Sequence, residues 1–275
     1  MSVLRATLID VGWGDSILVE IENAGNVRYG LIDSNDTATL RSGYIFLKRF
    51  FEKKSIQVPT SVPIFDWVLL SHAHADHGQG LRRILKDFGT SRFWYPEPSV
   101  SPAFFASLLR FARLSPRVVQ HDVIHSDRVL PNFGGATMAV LWPTPSLRPP
   151  NENNNSVVLT ISTGNASFVF TGDAEADSVW SNISSLIPSN TVFFKVPHHG
   201  SSNGTFTSAR SAPWLSYLPA NACVAISSHV RPFSHPDADV IEELAARVPI
   251  YRTDQHYHVT VETDGNKFDV KYSHI

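Results

Sequence analysis

Residues 71–78 read Ser-His-Ala-His-Ala-Asp-His-Gly and place four potential metal ligands within six positions. Side chains two residues apart in extended backbone point the same way, so His72 and His74 can bind one cation together. Asp76 and His77 are adjacent on the turn that follows, so they project elsewhere and can bind a second cation. Imidazole and carboxylate without thiolate suit zinc, manganese or iron. The segment therefore predicts metal-assisted hydrolysis, in which two cations make a bridging water acidic enough to attack as hydroxide near neutral pH.

The ligand segment follows the short apolar run 67–70, which is typical of a buried strand. Elsewhere, strand-like and helix-like patterns alternate along the chain and recur in both halves, which favours a layered α/β fold. Strands are predicted over 4–9, 16–22, 29–32, 67–70, 157–161, 167–170, 192–196, 224–227, 258–263 and 268–272, and helices over 42–54, 80–88, 102–114, 174–187 and 236–247. The Pro- and Asn-rich segment 143–155 is interpreted as a loop reaching over the site rather than as a linker between domains.

Four elements of the chain together resemble the metallo-β-lactamase superfamily. Residues 72–77 match its HxHxDH motif and follow an apolar strand, as that fold requires. Asp33, at the end of a predicted strand, resembles the early aspartate that supports the metal loop through hydrogen bonds. Asp173, in Phe-Thr-Gly-Asp, resembles the aspartate that bridges both metals. His235, in Ser-His-Pro, resembles the final histidine, which is a ligand of the second metal.

The resemblance implies a four-layer αβ/βα sandwich with the metal site at the edge between two sheets. It also implies a single domain over residues 1–275 and two divalent metal ions, zinc or manganese, as cofactors. The implied metal ligands are His72, His74, Asp76, His77, Asp173 and His235, with Asp33 in support.

Within the superfamily the chain is most similar to the metallohydrolase domain of the competence DNA-uptake channel protein and its free-standing relatives. The segments that carry this closer resemblance are 10–16, 71–78, 153–159, 196–201 and 251–254. The chain departs from that branch at Trp13, where glutamine is usual. It departs again in segment 228–234, where glycine and asparagine are usual near the last ligand.

Most hydrolases of the superfamily carry a further histidine ligand just before the strand that corresponds to 157–161. This chain has asparagines at 153–155 there, as is usual in the branch it resembles. The first metal is therefore predicted to be bound less tightly, or to be completed by water or by His198.

Several residues are predicted to act on the substrate. His198 and His199 precede a Gly-Ser-Ser loop that offers backbone donors, so one of them could contact a phosphate or protonate a leaving group; the alternative is a hydrogen-bonding cap. The predicted catalytic residues are Asp76, Asp173, His198 and His199, with the two aspartates orienting the attacking hydroxide. The predicted substrate-binding residues are Asn153, Ser201 and Arg231, although a solvated arginine is the alternative for the last.

Composition sets limits on partners and location. The net charge of −2 argues against a generally basic nucleic-acid-binding surface, but not against a local basic patch. The single cysteine, Cys223, excludes an intrachain disulfide, and its apolar surroundings predict a buried strand residue. The N-terminus lacks the pattern of a secretory signal, and no apolar run approaches the roughly 18 residues that span a bilayer. We expect a cytoplasmic enzyme without a membrane partner.

Three functions agree with these patterns. The first is a phosphodiesterase or nuclease acting on DNA or on a short or cyclic nucleotide, which the branch and the His-His-Gly-Ser loop favour. The second is a carboxyl hydrolase of esters, lactones or thioesters, which the missing histidine before strand 157–161 disfavours. The third is a metal-stabilised, non-catalytic interaction module, against which the complete ligand set argues. An enzyme of the first kind could also act with other proteins in a multi-component system.

Overall fold

The computed structural model describes residues 2–37, 39–146, 149–229 and 231–273. Within these residues the strands form two sheets. The eight-stranded sheet contains β1 (Val3–Leu8), β2 (Ile17–Asn23), β3 (Asn26–Ile32), β4 (Trp67–Leu69), β5 (Thr90–Tyr95), β6 (Val118–Val123), β13 (His258–Thr263) and β14 (Phe268–Ser273). The six-stranded sheet contains β7 (Thr137–Trp142), β8 (Val158–Thr163), β9 (Ala166–Phe170), β10 (Thr191–Lys195), β11 (Cys223–Ile226) and β12 (Ile250–Arg252).

Each sheet has a parallel half. The strand orders are β14-β13-β1-β2-β3-β4-β5-β6 and β12-β11-β10-β9-β8-β7. Strands β3 to β6 run parallel to one another, as do β9 to β12. The carboxyl ends of parallel strands meet at one edge of a sheet, so the segments that follow β3, β4, β9, β10 and β11 are brought together.

Helices cover the outer face of each sheet. The helices of the described residues are α1 (Ser42–Lys53), α2 (Ala75–Gly78), α3 (Leu81–Asp87), α4 (Ala103–Leu114), α5 (Ser181–Ile183), α6 (Ser202–Thr205), α7 (Ala238–Ala245) and α8 (Thr253–His256). The apolar faces of α1, α3 and α4 pack on the first sheet, and that of α7 packs on the second.

A core shared by both sheets lies between them. In β2, Ile17, Val19 and Ile21 point into this core, whereas Leu18 points to the helix-covered face, because side chains alternate along a strand. The two sheets with their outer helices confirm the predicted four-layer αβ/βα sandwich. The prediction that residues 1–275 form one domain rests on this shared core and stays a prediction.

The predicted elements are confirmed in type and place, except that one predicted helix is interrupted. In addition, four strands and the short helices α2, α6 and α8 were not predicted. The predicted helix 174–187 is interrupted: a π-helical turn (Ala176–Trp180) leads into α5 and a 3₁₀ turn (Ser184–Leu186). There the Trp180 indole donates to the carbonyl of Ala174 at 2.8 Å, and such side-chain bonds compete with the regular helical ladder. Strands β5, β6, β7 and β12 were not predicted. Of these, β6 is an edge strand with a mostly part-exposed pattern, which makes its alternation weak.

The irregular segment 143–155 reaches the ligand segment. Its residues 147 and 148 lie outside the described residues. Its last part forms a 3₁₀ turn (Glu152–Asn155), and the Glu152 carboxylate accepts a hydrogen bond from the backbone N–H of Ala73 at 3.1 Å. This contact favours the predicted loop over the site rather than a linker.

Cys223 is buried on β11, as predicted. Burial raises the pKa of its thiol to about 12, so the residue behaves as a small apolar side chain. Among the described helices, none has the length and apolar character needed to cross a membrane.

Candidate metal centre

The predicted ligands other than His235 come together at the edge where the carboxyl ends of the parallel strands meet. Asp33 directly follows β3, and the ligand segment follows β4. Asp173 lies three residues after the end of β9, and His198 and His199 follow β10. Open α/β sheets bind ligands in the crevice at this edge, so the topology itself positions the cluster.

Asp33 holds the ligand segment in place. Its Oδ1 accepts a hydrogen bond from the backbone N–H of Ser71 at 2.7 Å, and its Oδ2 accepts one from the Ser71 hydroxyl at 2.6 Å. The same Oδ2 lies 2.7 Å from Nδ1 of His77. Since the side chain is fully buried, these three contacts fix the start of the segment and the orientation of the His77 ring.

His72 and His74 form the first pair of imidazoles. His74 has extended backbone, with φ −97° and ψ 152°, and its Nδ1 lies 3.0 Å from Nε2 of His72. The same His72 nitrogen lies 3.9 Å from Oδ2 of Asp173, and Nε2 of His198 lies 3.8 Å from that oxygen. His72 and His74 therefore point the same way, as expected for two residues two positions apart on extended backbone.

A second group consists of Asp76, His77, Asp173 and His199, which each offer one ligand atom within 4.8 Å of the others. Oδ2 of Asp173 lies 3.3 Å from Nε2 of His77 and 3.5 Å from Nε2 of His199. That oxygen is close to both groups of imidazoles, which is the position that a bridging carboxylate requires.

Three atoms of the second group are buried without a hydrogen-bond partner among the residues that the structure describes. They are Nε2 of His77, Nε2 of His199 and Oδ1 of Asp173. Oδ1 of Asp173 faces Nζ of Lys195, whereas the two imidazole nitrogens both face Oδ2 of Asp173. Buried polar atoms are nearly always paired in native proteins, so these two converging nitrogens indicate a missing ligand. The imidazole and carboxylate donors of the second group fit a divalent cation such as zinc or manganese.

Charge at the cluster is strongly coupled. Burial raises the pKa of Asp173, but the imidazoles of His199 and His77 hold that pKa well below its usual value. Burial lowers the pKa of His77, but the Asp173 carboxylate raises it well above its usual value. Burial and the His77 charge lower the pKa of His72. The carboxylates therefore keep protons on the nearest imidazoles, and a bound cation would replace those protons.

Comparison with known proteins agrees with this geometry. The family model described as the metallo-beta-lactamase superfamily matches residues 65–213, which is more than half of the chain. The chain belongs to this superfamily. Membership confirms the predicted family and supports the broad prediction of a metal-dependent hydrolase.

The chain is 27% identical over 263 residues to ComE operon protein 3 of Bacillus subtilis (strain 168). The matched region covers 90% of this chain and 32% of that protein. It therefore spans about a third of this curated relative. Among solved structures, the metallo-beta-lactamase fold protein YhfI of Bacillus subtilis is 14% identical with a TM-score of 0.56, and the match covers 94% of this chain and 100% of YhfI. Zn²⁺-bound PqqB of Methylobacterium extorquens is 12% identical with a TM-score of 0.50, covering 92% and 97%. These structural likenesses show the metallo-beta-lactamase fold.

Behind the superfamily ligands lies a buried ion pair that the sequence analysis did not identify. Nζ of Lys195 lies 2.6 Å from Oδ2 of Asp15 and 3.8 Å from Oδ1 of Asp173. Burial lowers the pKa of Lys195, but the carboxylates of Asp15 and Asp173 outweigh it and raise that pKa. The ammonium is thus a fixed cation behind the candidate metal centre. Asp15 also belongs to a separate buried cluster with Asp33 and His77. We interpret this cluster as a hydrogen-bonded support for the ligand segment.

Asp173 is positioned by its neighbours. The Ser156 hydroxyl accepts a hydrogen bond from the backbone N–H of Asp173 at 2.9 Å. Gly172 has φ +52°, and a Cβ at that residue would lie 2.8 Å from the Ser156 side chain. The Gly172 carbonyl accepts from Nζ of Lys195 at 3.0 Å. The turn before Asp173 therefore needs glycine, and the serine before β8 completes it.

Three asparagines of the loop over the site, together with Asn203 from α6, meet at one carboxylate. Glu175 accepts hydrogen bonds from the side-chain amides of Asn151 at 2.9 Å, Asn153 at 3.2 Å, Asn154 at 3.1 Å and Asn203 at 2.8 Å. These bonds tie the loop to the segment after β9. Asn153 alone of these also approaches a catalytic candidate, with Nδ2 3.5 Å from Nε2 of His198.

The hydrogen-bonding groups of Ser201, in the loop after the histidine pair, find their partners within that loop. The Ser201 hydroxyl donates to Oδ1 of Asn203 at 2.6 Å and accepts from the backbone N–H of Gly204 at 3.2 Å. The backbone N–H of Ser201 donates to the His198 carbonyl at 2.9 Å. These bonds hold the loop, and the prediction that Ser201 binds substrate stays a prediction.

His235 lies outside the second group, which differs from its predicted place as a ligand. Its Nδ1 is 3.2 Å from Oδ1 of Asp237, and its ring centroid is 6.0 Å from that of His198.

His198 and His199 both have positive φ, 48° and 54°, so the backbone turns sharply after β10 and directs His199 into the cluster. Nδ1 of His199 then lies 2.9 Å from the Ser227 carbonyl, which fixes the ring. The predicted substrate-binding residue Arg231 is exposed and lies on the same segment as His235.

Proposed function

We propose that this protein is a two-metal phosphodiesterase that cleaves DNA or a short or cyclic nucleotide. The main support is the different placement of the two histidines after β10. His199 enters the second group, whereas His198 stays beside it, 20% exposed and next to the Asn153 amide. Preorganised imidazole and amide donors at the mouth of a metal site can bind the oxygens of a phosphodiester as charge develops on them.

The proposed ligands of one cation are His72, His74 and Asp173, and those of the other are Asp76, His77, Asp173 and His199. The zinc-bound state of PqqB supports zinc as one of the two candidate metals. When bound, two divalent cations lower the pKa of water in the site and neutralise charge on the phosphate.

The protein's own residues orient the reactants. The Asp173 and Asp76 carboxylates accept hydrogen bonds from the attacking water and align it with the phosphorus. Burial lowers the pKa of His198 in spite of the Asp173 carboxylate, so the neutral ring can donate an N–H hydrogen bond to the departing oxygen. The Asn153 amide donates to a non-bridging oxygen. Holding these groups in place before reaction converts binding into rate acceleration.

A substrate panel tests the proposal. We expect the purified protein to hydrolyse bis-para-nitrophenyl phosphate and a short single-stranded oligonucleotide faster than para-nitrophenyl acetate or a lactone. EDTA should abolish the activity, and zinc or manganese should restore it. Hydrolysis of the ester or the lactone without cleavage of either phosphodiester would contradict the proposal, as would unchanged phosphodiester cleavage in excess chelator.

Metal content distinguishes the two candidate histidines. Because His199 lies in the second group and His235 outside it, we expect His199→Ala to lose about one equivalent of bound metal, and His235→Ala to keep the wild-type content. Elemental analysis of the desalted proteins measures this directly. The reverse result would restore His235 as the ligand and assign His199 to a supporting role.

A further inference from the structure

Two aromatic residues that lie far apart along the chain, Trp13 and Phe233, are neighbours in space. Their rings pack edge to face with centroids 5.7 Å apart. The Phe233 ring is nearly parallel to that of His235, with centroids 6.3 Å apart and an interplanar angle of 25°. We call Trp13, Phe233 and His235 the aromatic rim.

The aromatic rim adjoins the candidate metal centre at both ends. At one end, the His235 ring centroid is 6.0 Å from that of His198. At the other end, Gly14 follows Trp13 with φ +86°, and a Cβ at Gly14 would overlap the backbone carbonyl of Asp76. The loop that carries Trp13 therefore packs directly against the ligand segment. The aromatic rim thus has a defined position relative to the candidate metal centre.

Space for a ring-shaped ligand lies at the Trp13 end of the aromatic rim. A cavity of about 510 Å³ opens beside Trp13 and is lined further by Leu40, Arg231 and Pro232, whereas Phe233 and His235 do not line it. Phe233 offers a second accessible ring, since it is 60% exposed. The cavity volume is within the range of small-molecule sites, which are typically apolar with a few polar groups. The exposed Arg231 supplies a guanidinium to this cavity, whose lining also includes the Asp10 carboxyl and the His229 imidazole.

We infer that the aromatic rim is a stacking subsite for the base of an unpaired nucleotide whose phosphate lies at the metal centre; this rests on the proposed function. Bases stack on aromatic side chains with little regard to sequence, and arginine pairs with a neighbouring phosphate. In a duplex both faces of each base are covered by neighbouring bases. The rim therefore selects single-stranded ends and short or cyclic nucleotides over duplex DNA.

Fluorescence of a 2-aminopurine base tests the stacking subsite. The probe is a short single-stranded oligonucleotide with phosphorothioate links that resist hydrolysis, added to the protein as isolated. Stacking on the rim should quench the probe, and Phe233→Ala should remove the quenching and weaken binding about tenfold. Trp13→Ala should have a similar effect, whereas Trp13→Tyr keeps a ring and should retain most of the quenching.

Tyr272→Ala is the matched control, because Tyr272 is 59% exposed on β14 and lies outside the rim. It should bind and quench the probe like the wild type. Equal affinity of the wild type for the single strand, for its duplex and for an abasic strand would overturn the subsite. So would quenching that Phe233→Ala leaves unchanged. Neither result depends on turnover, so failure of the subsite is separable from failure of the phosphodiesterase proposal, which the substrate panel decides.

Discussion

Asp173→Asn is expected to lower kcat/KM for phosphodiester hydrolysis by more than about 100-fold. Loss of a residue that only supports a metal ligand already costs roughly 10- to 100-fold in metal affinity or activity, and Asp173 holds a more central position. Its Oδ2 lies within 3.9 Å of imidazole nitrogens of His72, His77, His198 and His199. Replacing the carboxylate by an amide removes the shared negative charge and leaves the shape of the side chain nearly unchanged.

Metal content and kinetics should change together in this variant. Elemental analysis should show less bound metal in Asp173→Asn at the metal concentration that saturates the wild type. Asp269→Asn, the same substitution at a residue 69% exposed on β14, serves as the control and should match the wild type in both measurements. An Asp173→Asn protein with full metal content and wild-type kcat/KM would show that Asp173 does not bridge the cations.

The part of the site that the sequence predicts is the part encoded by short, local spacing. His72 and His74 are two residues apart on extended backbone, so the strand period alone places them together. Asp33 was predicted from the resemblance to the superfamily and not from spacing, since its partners Ser71 and His77 lie far along the chain. The structure brings them together because the parallel neighbours β3 and β4 end at the same edge.

The assignment of His199 depends on backbone conformation that residue types do not reveal. Two consecutive non-glycine residues with positive φ, His198 and His199, are uncommon, and nothing in the sequence indicates which ring enters the cluster. The resemblance pointed to His235 instead. The proposed ligand His199 therefore lies 36 residues before His235, the residue that the resemblance implied.

Lys195 was missed because it lies in the predicted strand 192–196, whose other residues are apolar. All five residues of β10 are buried, and a buried charge can be predicted only when its partner is known. The partner, Asp15, lies before β2 in the other sheet. The ion pair therefore links the two sheets behind the metal centre, and its presence depends on tertiary packing rather than on any local pattern.

Lys195→Met is expected to lower the free energy of unfolding by about 3–5 kcal/mol, because it removes one partner of a buried ion pair. Asp15 is 1% exposed, and its carboxylate would remain buried without its closest cation. Methionine keeps the approximate length of the lysine stem, so the loss reports charge rather than volume. Urea denaturation with all proteins in the same excess of EDTA measures the effect without the contribution of bound metal.

The double variant Asp15→Asn/Lys195→Met decides whether the loss of stability in Lys195→Met comes from the unpaired Asp15 carboxylate. Replacing both members of a buried ion pair is often nearly neutral, so the double variant should be more stable than Lys195→Met alone, with a coupling of about 0.5–3 kcal/mol between the two sites. Strictly additive losses would mean that each residue contributes through packing only. Both variants also lose the ammonium that binds the Gly172 carbonyl, so kcat should fall in each. Recovered stability with unrecovered kcat would separate the role of Lys195 in folding from its role in positioning Asp173.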